Sequence, residues 1–248
     1  MDINKITPEK KKAIINDKFP LAAKYDPIWQ LENEMGGPCL WLVEAVTRNM
    51  DLKPGMKVLD MGCGNAISSI FLAKEYGVQV FATDFDVSAS ENQKRIMAAN
   101  VEHLVFPIHA EAHSLPYADA FFDAALCVNS YQFFGTSDTY FNNFFGKLLK
   151  SRGEIGLALF GIYKEFDDLV PDYLKEHWWN DFYFFHSLDW WKRHFKRCGI
   201  VDVDFSDDFD GLGNEIAMKW EPIPDRIKLV RTDAGRNISW FRIVLKTK

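Results

Sequence analysis

Two glycines one residue apart interrupt an apolar run, and an acidic residue stands two positions before the first of them. In VLDMGCGNAISSIFLAKEYG, residues 58–77, Asp60 precedes Gly62 and Gly64, and the run then resumes with helical spacing. A glycine turn between a strand and a helix lets the main chain approach a ligand at the helix N-terminus. Unpaired N–H groups and the positive end of the helix dipole point outward there. The pattern predicts a site for a nucleotide or a carboxylate.

The elements that must position this turn alternate between strand and helix. Short apolar, β-branched runs predict parallel strands at residues 58–61, 78–83, 104–108, 123–128 and 154–160. Helical patterns lie around them, at residues 38–49, 66–76, 86–99 and 137–150. Asp86 and Ser137 are the predicted N-caps of the last two. The alternation predicts an α/β fold with a Rossmann-like, doubly wound and mainly parallel sheet.

The chain is predicted to form a single domain, residues 1–248, in four parts. They are an N-terminal cap segment (1–37), a core with the glycine turn (38–160), a lid-like aromatic insertion (161–186) and a C-terminal part (187–248). The insertion is too long for a routine turn, and such connections often form lids. In the C-terminal part, a helix capped by Ser187 and two strands complete the sheet.

Composition excludes several classes of function. The net charge of -6 and the pI near 5.5 argue against nucleic acid as a partner, because such binding needs clustered Lys and Arg. Because no apolar run has the length of a membrane span or a signal peptide, a cytoplasmic protein is expected. The four cysteines show no CxxC pair, and no metal site is predicted. A homo-oligomer is left open.

The glycine turn departs from the dinucleotide fingerprint G-x-G-x-x-G/A. Ile67 occupies the third required position. The stretch instead resembles D-x-G-x-G-x-G, motif I of class I S-adenosylmethionine-dependent methyltransferases, with Ala66 in place of the last glycine. Further landmarks follow in the family's order over residues 40–160. The resemblance is closest to the type 11 branch, which includes ubiquinone and menaquinone C-methyltransferase-like proteins.

This resemblance implies S-adenosylmethionine as cofactor and a small-molecule acceptor, methylated by in-line displacement at the sulfonium. Asp84, at the end of the second strand, would receive the ribose hydroxyls, and Glu111 would meet the adenine amino group. Asn129 would lie near the methionine end. The complete set of expected cofactor-binding residues is Asp60, Gly62, Cys63, Gly64, Asp84, Phe85, Glu111, Ala112 and Asn129.

Catalytic and acceptor residues are expected at the carboxyl edge of the sheet, where open α/β folds bind ligands. A general base is required only if the acceptor must lose a proton, and Tyr131, His113 and His186 are the candidates. For each histidine, a hydrogen-bonded loop or core role is the alternative. An apolar enclosure for the acceptor is expected from Tyr25, Trp29, Gln132, Trp178, Tyr183 and Trp190.

Two other functions compete with methyl transfer. One is a protein that binds S-adenosylmethionine without transferring its methyl group, such as a sensor or a pseudoenzyme. The other is a nicotinamide-dependent oxidoreductase, which would use the same glycine turn for a dinucleotide. The sequence does not name the acceptor, or whether carbon, nitrogen, oxygen or sulfur is methylated.

Overall fold

All of the runs predicted as strands belong to one seven-stranded sheet. The computed structural model describes residues 12, 14–166, 170–219 and 224–248. The predicted cap and lid segments therefore lie partly outside the described residues. In chain order the strands are β1 (Lys57–Met61), β2 (Gln79–Asp84), β3 (Val105–His109), β4 (Phe122–Val128), β5 (Leu149–Ile162), β6 (Val201–Asp207) and β7 (Ile238–Thr247).

The strand order is β3-β2-β1-β4-β5-β7-β6. Strands β1 to β5 are parallel, whereas β7 runs antiparallel between β5 and β6. The chain order reverses between β1 and β4, and such a switch point opens a crevice at the carboxyl ends of the strands. The predicted doubly wound, mainly parallel sheet is thereby confirmed, and the antiparallel β7 is an addition.

The helices flank the sheet. They are α1 (Pro27–Asn33), α2 (Cys39–Thr47), α3 (Ile67–Tyr76), α4 (Ala89–Ala98), α5 (Leu188–Cys198), α6 (Gly213–Lys219) and α7 (Pro224–Asp233). Ser187 caps α5 as predicted, because its side chain accepts the N–H of Trp190 at 3.2 Å. Within the described ranges, none of the helices has the length and apolarity needed to span a bilayer.

Two local predictions are wrong. Ser88, not Asp86, caps α4, because the Ser88 side chain accepts the N–H of Glu91 at 3.3 Å, while Asp86 lies in the turn before the helix. The segment predicted as a helix at 137–150 forms a π turn (Phe141–Phe145) and a 3-10 turn, and then enters β5. Phe141 and Phe145 are fully buried there, so aromatic packing overrides the local helical preference.

The sheet lies between two apolar clusters, and alternate residues of β1 belong to one cluster or the other. Val58 packs into the cluster that contains α2 and α3 residues, while Leu59 packs into the aromatic cluster around Tyr131 on the other face. The described part of the lid packs against β5, where the Phe185 and Phe160 rings lie 5.1 Å apart. Both faces of β1 are therefore covered, and its carboxyl end is left at the edge of the crevice.

Candidate functional site

The turn between β1 and α3 is held in the left-handed backbone region. Gly62, Gly64 and Ala66 have φ of 72°, 53° and 58°. The N–H groups of Gly62 and Cys63 both donate to Thr83 O of β2, at 2.8 and 3.1 Å. A Cβ on Gly62 would overlap Ser130, which follows β4. The turn needs glycine at this position because it approaches the end of β4 so closely.

Asp60 lies below the turn and is completely buried. Its Oδ2 accepts hydrogen bonds from the hydroxyls of Ser68 and Ser69 at 2.6 and 2.5 Å. Burial raises the pKa of Asp60 to about 6, against the lowering effect of the two serines. Asp60 is not among the cleft-lining residues. It fastens β1 to the first turn of α3 and so supports the glycine turn from beneath.

Asp84 joins the end of β2 to the glycine turn. Its Oδ2 accepts the Gly64 N–H at 2.7 Å, and its Oδ1 accepts the N–H groups of Asp86 and Val87 at 2.8 and 2.9 Å. The carboxylate is nearly buried and lines the crevice. Because each carboxylate oxygen can accept two hydrogen bonds, Oδ2 retains one acceptor position for a ligand hydroxyl.

The strand ends surround a cleft of about 500 Å³. This volume is within the range usual for small-molecule sites. The lining consists of residues 33–37, 61–65, 83–86, 110–112 and 128–130, together with side chains from α2, α3 and the segment after β4. Four of these described residues are acidic, namely Glu34, Asp84, Asp86 and Glu111, and none is Lys, Arg or His. The cleft therefore favours a cationic ligand.

Residues 34–38, the closing loop, cover the cleft over β1 and β4. Asn129, with φ of 55°, donates from Nδ2 to Gly36 O at 3.1 Å. Gly37 lies against the buried Trp240 of β7, since a Cβ there would be 2.7 Å from the indole. This loop is not among the elements predicted from the sequence. The succession Gly36-Gly37-Pro38 before a helix is the turn signal that could have indicated it.

Glu34 of the closing loop carries an unusual carboxylate. Its Oε1 accepts the N–H of Cys39, at the start of α2, at 2.5 Å. Its Oε2 is buried and, within the described ranges, has no hydrogen-bond partner. Burial raises the pKa of Glu34 well above its usual value, although the hydrogen bond from Cys39 acts in the opposite direction.

At the far end of the cleft, residues 110–112 follow β3. Glu111 accepts the N–H and the Nδ1 of His113, both at 2.8 Å. The hydrogen bond from the His113 side chain lowers the pKa of Glu111, so this half-exposed carboxylate is ionised at neutral pH. His113 itself packs edge-on against Tyr140 and is not in the cleft lining. Phe85 lies exposed on the cleft rim.

The other candidates for a general base lie elsewhere. Tyr131 is fully buried among aromatic rings, among them Trp191 and Phe195. His186 stacks on Trp190 with ring centroids 3.7 Å apart, and its Nδ1 is 3.0 Å from Glu165. None of these side chains lines the cleft. Their catalytic roles remain predictions without a place in the observed site.

The expected acceptor residues are likewise outside the cleft lining. Tyr25 packs on Trp29 and donates its hydroxyl to Glu75 at 3.1 Å. Gln132 is buried, and its Nε2 donates to Asn129 Oδ1 at 2.8 Å. None of the residues predicted to bind the acceptor lines the cleft. They are Tyr25, Trp29, Gln132, Trp178, Tyr183 and Trp190.

Two other aromatic residues do line the cleft, and both follow β4. Phe133 and Phe134 are lining residues, and Phe133 contacts Phe184 and Phe185 of the lid with centroids 6.3 and 6.5 Å apart. The lid thus borders the cleft through Phe133. The aromatic pair in the segment that follows a predicted strand end was the available signal in the sequence.

A family model described as a methyltransferase domain matches residues 58–153. Demethylmenaquinone methyltransferase of Corynebacterium glutamicum is 32% identical over 120 residues, which cover 46% of this chain and 48% of that protein. The chain thus spans about half the length of the curated relatives it matches.

Solved structures with the same fold align over most of the chain. Phosphoethanolamine N-methyltransferase 2 of Haemonchus contortus, in complex with S-adenosyl-L-methionine, has a TM-score of 0.72 at 16% identity, covering 96% of this chain and 59% of that one. Geranyl diphosphate C-methyltransferase of Streptomyces coelicolor has a TM-score of 0.69 at 12% identity, covering 98% and 83%.

The matched region contains β1 to β4, the glycine turn and the residues of the cleft between 61 and 130. The expected family resemblance and the Rossmann-like fold are both confirmed. Residues 58–153 thus resemble a methyltransferase domain, and the relatives that they match are methyltransferases by name.

Proposed function

We propose that this protein is an S-adenosylmethionine-dependent methyltransferase acting on a small molecule that carries no phosphate. The observation that supports it most strongly is the cleft itself. It joins the glycine turn, Asp84, Glu111 and Asn129 at one sheet edge, and its lining holds four acidic residues and no basic one among those described. A dinucleotide brings a pyrophosphate, which such a lining disfavours. S-adenosylmethionine brings a sulfonium and an ammonium group against a single carboxylate, and such a lining favours this net positive charge.

The residues present fit this cofactor. Oδ2 of Asp84 has an acceptor position left for a ribose hydroxyl, and the carboxylate of Glu111 lies where an exocyclic amino group could donate. Glycine is needed at position 62 for the turn to keep its place in the cleft, because a side chain there would collide with Ser130. When bound, the cofactor supplies an electrophilic methyl group on sulfur.

The protein's contribution to transfer is alignment and exclusion of water. The glycine turn, anchored to β2 through Thr83 and Asp84, gives the cleft a fixed floor. The closing loop covers one end, tied by Asn129 to β4. Holding two reactants in line can lower a barrier by about 7–11 kcal/mol. Tyr131, His113 and His186 lie outside the cleft lining, so the proposal assigns a general base to none of them.

The cleft lining also narrows the acceptor. The two structural neighbours named above take a phosphorylated substrate according to their names, phosphoethanolamine and geranyl diphosphate. A phosphate needs Lys, Arg or a comparable donor set, and the described lining offers no basic side chain. Phe133 and Phe134 offer aromatic faces instead, which suit an apolar or a cationic group. We therefore infer an uncharged or cationic acceptor.

Calorimetry with S-adenosylmethionine and with NAD, followed by turnover assays, tests the proposal. We expect binding of the first and none of the second, and release of S-adenosylhomocysteine with at least one unphosphorylated acceptor from a broad panel. Tight NAD binding without S-adenosylmethionine binding would overturn it. So would persistent S-adenosylmethionine binding with no product across the panel, which is the behaviour of a sensor.

A further inference from the structure

A residue of the cleft lining has a buried carboxylate oxygen without a partner. Glu34 lines the cleft, and its Oε1 is occupied by the Cys39 N–H. Its Oε2 is buried and accepts no hydrogen bond from any residue in 12, 14–166, 170–219 or 224–248. An unsatisfied buried acceptor costs free energy, and native proteins contain few of them. This oxygen is therefore a candidate for contact with a ligand.

The contacts of the closing loop place Glu34 at the β1–β4 end of the cleft. Gly36 accepts a hydrogen bond from Asn129 after β4, and Asn33 accepts one from Asn65 after β1, at 3.1 and 3.2 Å. Glu111 lies after β3, two strands away from β1 in the sheet order. A ligand with its adenine at Glu111 and its ribose at Asp84 directs its amino-acid end toward Glu34.

The cation that would satisfy Glu34 must come from the ligand. The described cleft lining contains no Lys, Arg or His, so no side chain there neutralises this carboxylate. Burial raises the pKa of Glu34 well above its usual value, so its carboxylate form becomes favourable only when a cation pairs with it. The amino-acid end of S-adenosylmethionine carries a primary ammonium group, which donates charge-assisted hydrogen bonds.

We propose that Glu34 binds the α-ammonium group of S-adenosylmethionine through Oε2 and thereby fixes the amino-acid end of the cofactor. The inference rests on the proposed function. It predicts that a substitution of Glu34 changes the affinity for some adenosyl ligands and not for others. Loss of the Glu34 charge should affect ligands that carry the ammonium group and should leave unaffected those that carry only the adenosyl part.

The test is calorimetry on the full chain with S-adenosylhomocysteine and 5′-methylthioadenosine, which lacks the amino-acid end. In Glu34→Gln, the side-chain oxygen can still accept the Cys39 N–H, but the carboxylate charge is gone. We expect its affinity for S-adenosylhomocysteine to fall by about tenfold or more, with methylthioadenosine affinity within about twofold of wild type. Glu32→Gln, an exposed position on α1 outside the cleft lining, is the matched control and should bind both as wild type does.

Equal affinities of Glu34→Gln and wild type for S-adenosylhomocysteine would overturn the inference. An equal loss for both ligands would do so too, since it indicates a general disturbance of the cleft. A deaminated S-adenosylhomocysteine tested on wild type needs no variant, and the inference fails if it binds as tightly as the parent. Failure of the proposed function looks different, because wild type would then bind none of the adenosyl ligands.

Discussion

At the scale of single residues, the site depends on two aspartates that do different work. Asp84 collects three backbone N–H groups and keeps one acceptor position toward the cleft. Asp60 is sealed beneath the turn and receives two serine hydroxyls. Ligand affinity should therefore respond to Asp84, and the pH dependence of stability should respond to Asp60.

Replacement of Asp84 should weaken cofactor binding and loosen the turn. In Asp84→Asn, the amide can accept at only one oxygen, so either Gly64 or the pair Asp86 and Val87 loses its acceptor. Hydrogen bonds to a charged group contribute about 1.5–3 kcal/mol, so S-adenosylhomocysteine affinity should fall by about tenfold to a hundredfold. Calorimetry measures the loss. Asp119→Asn, at an exposed position outside the cleft lining, is the control, and an equal loss in both variants would contradict the assignment.

Asp60 should make the folded state less stable as pH rises. A carboxyl whose folded pKa, about 6, exceeds its ordinary value of 3.8 holds its proton longer in the folded chain. Its favourable contribution is therefore present at low pH and lost as pH rises from about 4 to about 6. Relative to Asp60→Asn, wild type should lose on the order of 3 kcal/mol of unfolding free energy between those limits. Urea unfolding at several pH values measures this, and parallel pH profiles for the two proteins would contradict it.

At the scale of elements, the sequence allows prediction of those features that depend on residues close together in the chain. The glycine turn, Asp84 and Glu111 follow strands whose apolar runs are plain, so their places at the strand ends were predictable. The closing loop was not, because its hydrogen bond to Asn129 joins residues 93 positions apart. The positions of Tyr131 and the lid aromatics were not predictable for the same reason, since nothing local tells whether an aromatic ring faces the core or the cleft.

The turn into β4 carries a residue in an unfavourable backbone conformation. Ala120 is exposed and has φ of 54°, a region that costs a residue with a Cβ about 1–2 kcal/mol. Ala120→Gly should therefore stabilise the protein by about 1 kcal/mol, measured by thermal or urea unfolding. Ala98→Gly, at the exposed end of α4, should have the opposite sign because its backbone is helical. The explanation fails if both substitutions destabilise.

At the scale of the whole molecule, the net charge of the chain and the charged groups of the cleft lining have the same sign. The chain carries a net charge of -6, and the described cleft lining adds a local excess of carboxylates. Such a field attracts a cation and is screened by salt. It does not bring the same benefit to a neutral product, which favours release once the methyl group has left.

Salt should therefore weaken the binding of the cofactor more than the binding of its product. S-adenosylmethionine has one positive charge more than S-adenosylhomocysteine, so its affinity should fall more steeply as ionic strength rises. The Debye length shrinks from about 30 Å to about 3 Å between 0.01 M and 1 M salt, so this range covers the effect. Calorimetry across the range measures both slopes, with methylthioadenosine as the uncharged reference. Equal slopes for all three ligands would show that the carboxylates do not steer binding.

The contact between Gly37 and Trp240 links the closing loop to β7, more than 200 positions further along the chain. During synthesis, the glycine turn and the strands around it emerge from the ribosome long before β7. Until β7 inserts between β5 and β6, the residues over the cleft lack the indole that supports them. The cover of the cleft can therefore form only after β7 has been synthesised, and a form without β7 would have the floor of the site but not its cover.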